Sequence, residues 1–322
     1  MAHAIRIHRN GGPEVLVWEE IPVPAPGPGE ARVRQRAVGV NFIDVYQRTG
    51  LYPVTLPAVL GQEGAGVVEA VGPGETDVAV GDRVAYGGIP GAYAEVRTVP
   101  AERLVKLPDG IDDELAAAVM LKGMTAEFLL RRSHRVSSGE TIVFHAAAGG
   151  VGQIACQWAK ALGATVIGTV GSAAKVDVAR RHGCDHVVLT TEDLAARVRS
   201  LTGGTGADVV YDSVGRDTFE ASLDSLRPRG LLVSYGNASG PVPPFAPLLL
   251  TTKGSLFLTR PSLVHYIATR AELLASAGAV LEAVLAGKIR VEIGQRYPLA
   301  EASRAHADLE GRRTTGPSVL LP

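Results

Sequence analysis

The stretch that most constrains the fold is a run of small residues between a strand-like and a helix-like segment. Residues 140–144 are mostly apolar, His145 to Gly152 reads His-Ala-Ala-Ala-Gly-Gly-Val-Gly, and residues 153–163 are helix-compatible. A strand that turns tightly into a helix gathers unpaired backbone N–H groups at the positive helix end, which binds phosphate. Ala147, Gly149 and Gly152 keep the spacing of a dinucleotide-binding fingerprint. The alternative is a plain turn, which also favours small residues.

The residues after this run repeat the alternation of strand and helix. A helix is predicted from Lys175 to His182, and polar or amphipathic stretches separate the later strands at 193–201 and 218–226. The predicted strands are 164–170, 185–189, 207–211 and 230–234. Alternation at this length predicts an α/β unit with a doubly wound parallel sheet of the Rossmann type.

The end of the second predicted strand indicates which dinucleotide binds. Proteins that bind NAD usually carry an acidic residue there, which would repel the extra phosphate of NADP. Here Gly171 and Ser172 follow the strand, and no acid occurs before Asp177. Ser172 and Lys175 can donate to a 2′-phosphate, so we expect NADPH. Alternatively, Ser172 only caps the next helix and Lys175 is a solvated surface residue.

Composition is that of an ordinary globular enzyme with two domains. The chain has 322 residues, 46% of them hydrophobic, and a formal charge of −1, so no basic excess points to nucleic acid. Without a membrane-length apolar stretch or a leader peptide, we expect a cytoplasmic protein with no membrane partner. The two cysteines, Cys156 and Cys184, exclude a disulfide framework and a thiolate zinc site, and we interpret both as small core residues, with a redox role as the alternative.

The first 120 residues have a different pattern. Short β-rich runs occur at 31–40, 64–71 and 81–86, and proline and glycine separate them. This predicts a small barrel-like β domain whose turns are fixed by those residues. The proline-rich segment 21–29 is interpreted as a connection between strands, with a polyproline ligand as the alternative.

With these parts in place, the whole chain resembles the medium-chain dehydrogenase/reductase superfamily, and within it the NADPH-dependent quinone oxidoreductases related to zeta-crystallin. The motifs that carry the resemblance are Gly12-Pro-Glu-Val-Leu16, Val40-Asn-Phe-Ile-Asp-Val-Tyr46, Gly61-Gln-Glu-Gly-Ala-Gly66, Gly81-Asp-Arg-Val84, the glycine run, and Tyr211-Asp-Ser-Val-Gly215. The resemblance implies a GroES-like β-barrel catalytic domain (1–122, completed by 261–322), a Rossmann NADPH-binding domain (123–260), and an active site in the cleft between them.

The differences from the zinc branch of that superfamily are as informative as the matches. Zinc alcohol dehydrogenases carry a Cys ligand at the place of Asn41 and a His ligand at that of Gln62, and they have four cysteines near the place of 87–95. Without a Lewis acid, alcohol oxidation is disfavoured. Hydride delivery to a quinone or a conjugated enone needs only orientation and a proton source, which can be water.

By their place in the family motifs, four residues are expected around the acceptor: Asn41, Asp44, Tyr46 and Gln62. Asn41 or Tyr46 could donate a hydrogen bond to a carbonyl that gains negative charge. Alternatively, Asn and Asp at a strand end satisfy turn backbone. Lys122 and Thr125 lie where the chain crosses between domains; the resemblance puts Thr125 near the nicotinamide, and Lys122 is a phosphate partner or a surface cation.

Further cofactor contacts are implied by the resemblance along the second domain. The Leu189–Thr191 stretch departs from the family, which often has an aromatic residue or His there. The predicted cofactor-binding residues are Tyr46, Thr125, Ala148, Gly149, Gly150, Val151, Gly152, Gly171, Ser172, Lys175, Ser213, Tyr235, Gly236, Asn237, Leu258, Thr259 and Arg260.

Two other functions and one assembly follow as hypotheses. A reductase of another activated double bond, such as an acrylate or enoyl thioester, would use the same parts. A crystallin-like protein that binds NADPH and RNA is a second alternative, against which the charge of −1 argues. The apolar run from Ser255 to Leu258 predicts a homodimer that extends the sheet; a monomer is expected if the loop 241–247 covers that edge.

Overall fold

The computed structural model describes residues 1–74 and 77–322; the predicted domain 1–122 therefore includes two residues outside the described ones. The strands are β1 Ala2–Ile7, β2 Val17–Ile21, β3 Glu30–Val40, β4 Ala58–Val59, β5 Glu63–Val71, β6 Arg83–Gly87, β7 Val96–Pro100, β8 Val105–Lys106, β9 Thr141–Phe144, β10 Thr165–Val170, β11 His186–Leu189, β12 Ala207–Asp212, β13 Leu226–Ser234, β14 Phe257–Thr259, β15 Gln295–Pro298 and β16 Ser318–Leu321. The α-helices are α1 Phe42–Thr49, α2 Asp113–Phe128, α3 Gly150–Ala161, α4 Val176–Arg181, α5 Leu194–Leu201, α6 Phe219–Asp224, α7 Leu248–Thr252, α8 Arg270–Leu285 and α9 Ala302–Glu310.

The chain divides by its internal contacts into two compact units. The first unit consists of Met1–Met124, Ile267–Leu285 and Val291–Pro322. The second unit consists of Thr125–Tyr266 and Ala286–Arg290. No helix among the described residues is both long and apolar enough to cross a membrane.

The second unit is built on a parallel sheet. Its strands lie in the order β11-β10-β9-β12-β13-β14, and neighbouring strands pair in parallel throughout. The order reverses between β9 and β12, where the carboxyl ends of strands in such sheets form a ligand-binding crevice. Val143, Val210 and Leu232 are among the residues of its apolar core. The prediction of a doubly wound Rossmann sheet is confirmed.

The first unit is β-rich and mostly antiparallel. Among the described residues, its larger sheet follows the order β15-β16-β3-β5-β6-β8, with β7 also paired to β3, and a smaller sheet joins β2, β1 and β4. Two register shifts between β3 and β5 bend this pair, as bulges do in barrel-like sheets. Tyr86, Tyr93 and Leu104 lie in its core. This agrees with the predicted GroES-like β domain.

Helix α1 begins where β3 ends, and the sequence explains both of its ends. Asp44 accepts a hydrogen bond from the backbone N–H of Asn41 (2.8 Å), which closes the first turn. Gly50 ends the helix in the left-handed region (φ 82°), which favours glycine. The helix therefore holds Asn41, Asp44 and Tyr46 in a fixed relation to the sheet.

Two thiols lie in the interior of the second unit. Cys156 is on α3 and Cys184 precedes β11, and both are buried and free. The contact with Cys184, together with burial, raises the pKa of the Cys156 thiol well above its usual range. The expectation that both are small core residues agrees with this placement.

Candidate functional site

The glycine loop of the second unit is shaped around one carbonyl group. The oxygen of Ala146 accepts from the N–H of Gly149 (2.9 Å), and Gly149 then caps α3. A Cβ atom at Gly152 would lie 2.4 Å from the same oxygen, so only glycine lets the helix close on this turn. Gly150 and Val151 form the first turn of α3, and Ala148 is buried beside it. The N–H groups at this helix start are suited to a diphosphate.

The end of β10 is open and carries no carboxylate. Gly171 and Ser172 are exposed, and nothing lies within 4 Å of where a Cβ atom of Gly171 would be. A short turn, Ala173–Lys175, leads into α4, and the Ser172 side chain makes no capping bond to it. The interpretation of Ser172 as a mere helix cap therefore loses its support.

The ends of β12, β13 and β14 bring several predicted cofactor residues together. A Cβ atom at Gly236 would lie 2.3 Å from the Ser213 carbonyl oxygen, so the two segments touch. Arg260 donates to the Gly236 carbonyl (3.3 Å). Leu258 and Thr259 pair with β13 on the same strand that precedes Arg260. The remaining predicted residues nearby are Tyr235, whose N–H donates to the Asp212 carbonyl (2.7 Å), and Asn237, whose carbonyl accepts from Gly240 (2.9 Å). Thr125 lies on α2, nearly buried.

In the first unit, a buried carboxylate holds the predicted acceptor residue Asn41. Asn41 Nδ2 donates to Glu63 Oε1 (2.9 Å), the backbone N–H of Leu121 donates to Glu63 Oε2 (2.7 Å), and the Lys122 ammonium pairs with Glu63. Gly39 leaves the room for this carboxylate, because a Cβ atom there would lie 2.2 Å from Glu63 Oε1. Since a carboxylate only accepts, the amide nitrogen of Asn41 must face it.

Lys122 is 4% exposed and Glu63 is fully buried. The interpretation of Lys122 as a surface cation is therefore wrong, because its ammonium is desolvated and neutralised by Glu63. A buried charge is retained when it is paired and hydrogen-bonded.

Gln62 and Tyr46 each contact a neighbouring side chain, Gln62 one on α1 and Tyr46 one in the segment that follows α1. Gln62 Nε2 donates to Gln47 Oε1 (3.1 Å). The ring of Tyr46 meets that of Tyr52 edge-on, with centroids 5.2 Å apart. The pair forms a partly buried aromatic surface of the kind that planar ligands contact.

Asp44 turns away from that surface into a buried network. Besides the Asn41 N–H, its Oδ2 accepts from the Tyr93 hydroxyl (2.9 Å), and that hydroxyl also lies 2.9 Å from His306 Nε2. His306 Nδ1 faces Arg48 Nη1 (3.1 Å), and Arg48 binds Glu310 with two bonds of 2.8 Å. The geometry assigns Asp44 to closing and anchoring α1. Its predicted part in the chemistry stays a prediction.

Burial changes the protonation of this network. Desolvation raises the pKa of Asp44 to about 7, against hydrogen bonds from Asn41 and Tyr93 that act the other way. Desolvation, with the Arg48 charge, lowers the pKa of His306 to about 3, so the ring is neutral. Arg48 can only donate, hence His306 Nδ1 accepts and its Nε2–H faces Tyr93.

Comparison with known proteins decides the family. A zinc-binding dehydrogenase model matches residues 150–277, and an alcohol dehydrogenase GroES-like domain model matches residues 27–109. A quinone oxidoreductase of Pseudomonas aeruginosa is 56% identical over 100% of both chains. The chain belongs to the quinone oxidoreductase family. The resemblance to this group of the medium-chain dehydrogenase/reductase superfamily is thereby confirmed.

Two further relatives differ in what their names say they bind or reduce. The crystal structure of the Escherichia coli quinone oxidoreductase complexed with NADPH matches with a TM-score of 0.98 at 48% identity, over 100% of both chains. A 2-haloacrylate reductase of a Burkholderia species is 48% identical over 100% of this chain and 99% of its own.

The zinc-binding name of the matched model raises the question of a metal in this chain. Within residues 1–74 and 77–322, no group of three or more His, Cys, Asp and Glu side chains is placed to hold a metal ion. The amides of Asn41 and Gln62 are instead bound to Glu63 and Gln47.

Several residues that shape this site were missed by the sequence analysis. Glu63 stood beside Gln62 in a motif already singled out, and its charge next to a buried strand was the available signal. Tyr93 lies 49 positions from Asp44 along the chain, and His306 lies 262 positions away, beyond α8. No local sequence pattern therefore joins them to Asp44.

Proposed function

We propose that the protein reduces quinones with NADPH. The observation that carries the proposal is a phosphate-binding helix start combined with a β10 end that lacks a carboxylate, in a chain 56% identical over its full length to a quinone oxidoreductase. The Escherichia coli relative is described as complexed with NADPH and matches over the full chain, which supports the same cofactor here.

The residues at the carboxyl edge of the parallel sheet fit the cofactor. The N–H groups at the start of α3 would bind the diphosphate, Gly149 would let the backbone approach it, and Gly152 lets the helix close on the Ala146 turn. Ser172 and Lys175 receive the 2′-phosphate at the open end of β10. Ser213, Gly236 and Arg260 form a second group of cofactor contacts. When bound, NADPH supplies a hydride.

The residues of the first unit orient the acceptor. Glu63 and Lys122 fix the Asn41 amide with its nitrogen toward the carboxylate, and this leaves its second N–H for an acceptor carbonyl. The Tyr46 and Tyr52 rings provide an apolar surface for a planar ring. A proton completes the reduction, and water can supply it.

A second candidate acceptor is an activated double bond outside a quinone. The 2-haloacrylate reductase relative favours it, since it is 48% identical over nearly the whole of both chains. Steady-state turnover with quinones, enones, haloacrylates and enoyl thioesters separates the two. Turnover of quinones at a higher kcat/KM than the other classes supports the proposal; the reverse order replaces it with the second candidate.

The cofactor preference is tested separately with Lys175→Ala. The loss of a charged donor to the 2′-phosphate should raise the KM for NADPH by the equivalent of about 1–3 kcal/mol and leave that for NADH nearly unchanged. Lys160→Ala is the matched control, because that ammonium is exposed and paired with Asp185. Equal weakening of both cofactors by Lys175→Ala would refute the assignment.

A further inference from the structure

A network of buried polar side chains links the carboxyl ends of neighbouring strands in the sheet of the second unit, beside the start of the glycine loop. His145, 2% exposed, follows β9. Its Nδ1 lies 3.1 Å from Thr169 Oγ1 on β10, and its Nε2 lies 2.9 Å from Ser222 Oγ on α6. Ser222 Oγ lies 2.7 Å from Asp212 Oδ2, at the end of β12. One imidazole thereby joins the ends of three neighbouring strands.

The direction of every hydrogen bond in this network follows from the Asp212 carboxylate at one end. Asp212 also accepts from Val214 N–H (2.8 Å), Gly215 N–H (3.0 Å) and the Thr218 hydroxyl (2.7 Å), which hold the carboxylate in place. A carboxylate accepts, so Ser222 donates its only proton to Asp212 and must accept from His145 Nε2–H. A neutral ring then accepts at Nδ1 from the Thr169 hydroxyl.

These hydrogen-bond directions require a neutral His145 ring, and the burial of the ring favours that form. Burial lowers the pKa of His145, and the Asp212 charge, which acts the other way, does not offset it. His145 is thus fixed in the Nε2–H form by its two hydroxyl partners.

The network ends at the turn that shapes the glycine loop. Thr169 Oγ1 donates its hydrogen bond to His145, and the same oxygen faces the N–H of Ala146 at 3.4 Å. Ala146 is held in the left-handed region (φ 53°), which is costly for a residue with a Cβ atom. The carbonyl oxygen of Ala146 accepts a hydrogen bond from the Gly149 N–H, and Gly152 packs against the same oxygen. Surrounding bonds must hold such a conformation, and the His145 network is positioned to do so.

We propose that His145, acting through Thr169 and Ser222, is a positioning residue that fixes the Ala146 turn and thereby sets the affinity of the glycine loop for the cofactor diphosphate. The inference rests on the proposed binding of NADPH at this loop. None of the three side chains needs to touch the cofactor, because the Thr169 hydroxyl faces the Ala146 backbone, His145 holds that hydroxyl, and Ser222 holds His145.

The test is the NADPH dissociation constant of the full-length protein, measured by fluorescence titration without acceptor. Thr169→Val keeps the shape and removes the hydroxyl; we expect about a tenfold rise in the constant, equivalent to about 1.4 kcal/mol. Thr169→Ser restores the hydroxyl and should bind like wild type. Ser222→Ala, which leaves His145 Nε2–H without its acceptor, should weaken binding to a similar extent.

Thr218→Val is the matched control. It removes another hydroxyl bond of 2.7 Å to the same Asp212 oxygen but is not joined to His145. It should lower the melting temperature and leave NADPH affinity within about twofold of wild type. If Thr169→Val binds NADPH as wild type does, or Thr218→Val weakens it equally, the positioning role is overturned. Failure of the wild-type protein to bind NADPH would instead refute the proposed function, which separates the two.

Discussion

At the scale of single residues, two buried groups of the first unit respond to pH in opposite directions. The pKa of Asp44 is raised from 3.8 to about 7, so between these values the folded chain holds a proton that the unfolded chain releases. Its contribution to stability is present at low pH and is lost as pH rises toward 7. The pKa of His306 is lowered from 6.5 to about 3, so its contribution is present above 6.5 and is lost as pH falls.

These slopes should cancel in the wild type and appear in single variants. Each amounts to at most about 1.4 kcal/mol per pH unit. Relative to wild type between about pH 4.5 and pH 6.5, His306→Gln should show an unfolding free energy that falls as pH rises, and Asp44→Asn one that rises. Urea unfolding at several pH values measures both. Parallel curves for the two variants would contradict the assignment.

At the scale of elements, we expect replacement of glycine by alanine to destabilise the glycine loop and to stabilise α8. In Gly152→Ala the new Cβ atom would lie 2.4 Å from the Ala146 oxygen and 2.7 Å from the Ala147 Cα, both backbone atoms that cannot give way. We expect a loss of about 2 kcal/mol in stability and weaker NADPH binding. In Gly278→Ala, at an exposed position of α8, nothing lies within 4 Å of the new Cβ atom, and the helix should gain about 0.5–1 kcal/mol. Thermal unfolding and NADPH titration of both variants check this; a stable, tight-binding Gly152→Ala would contradict it.

The homodimer is predicted to form through the edge strand β14, but the bounds of that strand differ from the predicted segment. The strand is Phe257–Thr259, whereas Ser255 and Leu256 precede it, and Leu256 is 6% exposed in the core of the second unit. A charge at Leu256 would therefore disrupt the fold and would not test the interface. Phe257 is 61% exposed on the edge strand.

Phe257→Asp should split the dimer, because an edge strand pairs with its copy only if its exposed face is compatible. Light scattering at micromolar concentration should give twice the monomer mass for wild type and the monomer mass for the variant. Val264→Asp, at an exposed apolar residue outside the sheet, is the control and should stay dimeric. A wild-type mass that does not exceed the monomer refutes the dimer.

At the scale of the whole molecule, the amide residues at the place of zinc ligands predict metal independence. Asn41 and Gln62 each use their amide nitrogen to bind a neighbour, Glu63 or Gln47. Chelator treatment should leave quinone turnover intact, and elemental analysis should find no stoichiometric zinc. Activity lost on chelation and restored by zinc would contradict this.

The sequence predicts the local parts of this molecule well and its long-range contacts poorly. The strand alternation after His145 is periodic, so the Rossmann sheet follows from it, with strand ends shifted by a few residues, as at β13, which begins at Leu226 and not at Gly230. The buried partners of Asp44 and His145 come from distant segments. Only the folded chain shows that Tyr93 meets Asp44, or that Ser222 meets His145.

The burial of both cysteines has a consequence for an enzyme whose proposed acceptors are electrophiles. A quinone that takes up hydride also undergoes conjugate addition of thiolates, which would alkylate an accessible cysteine irreversibly. Cys156 and Cys184, the two cysteines of the sequence, lie inside the second unit, and the raised pKa of the Cys156 thiol keeps it protonated. We therefore expect neither thiol to be alkylated by such an acceptor.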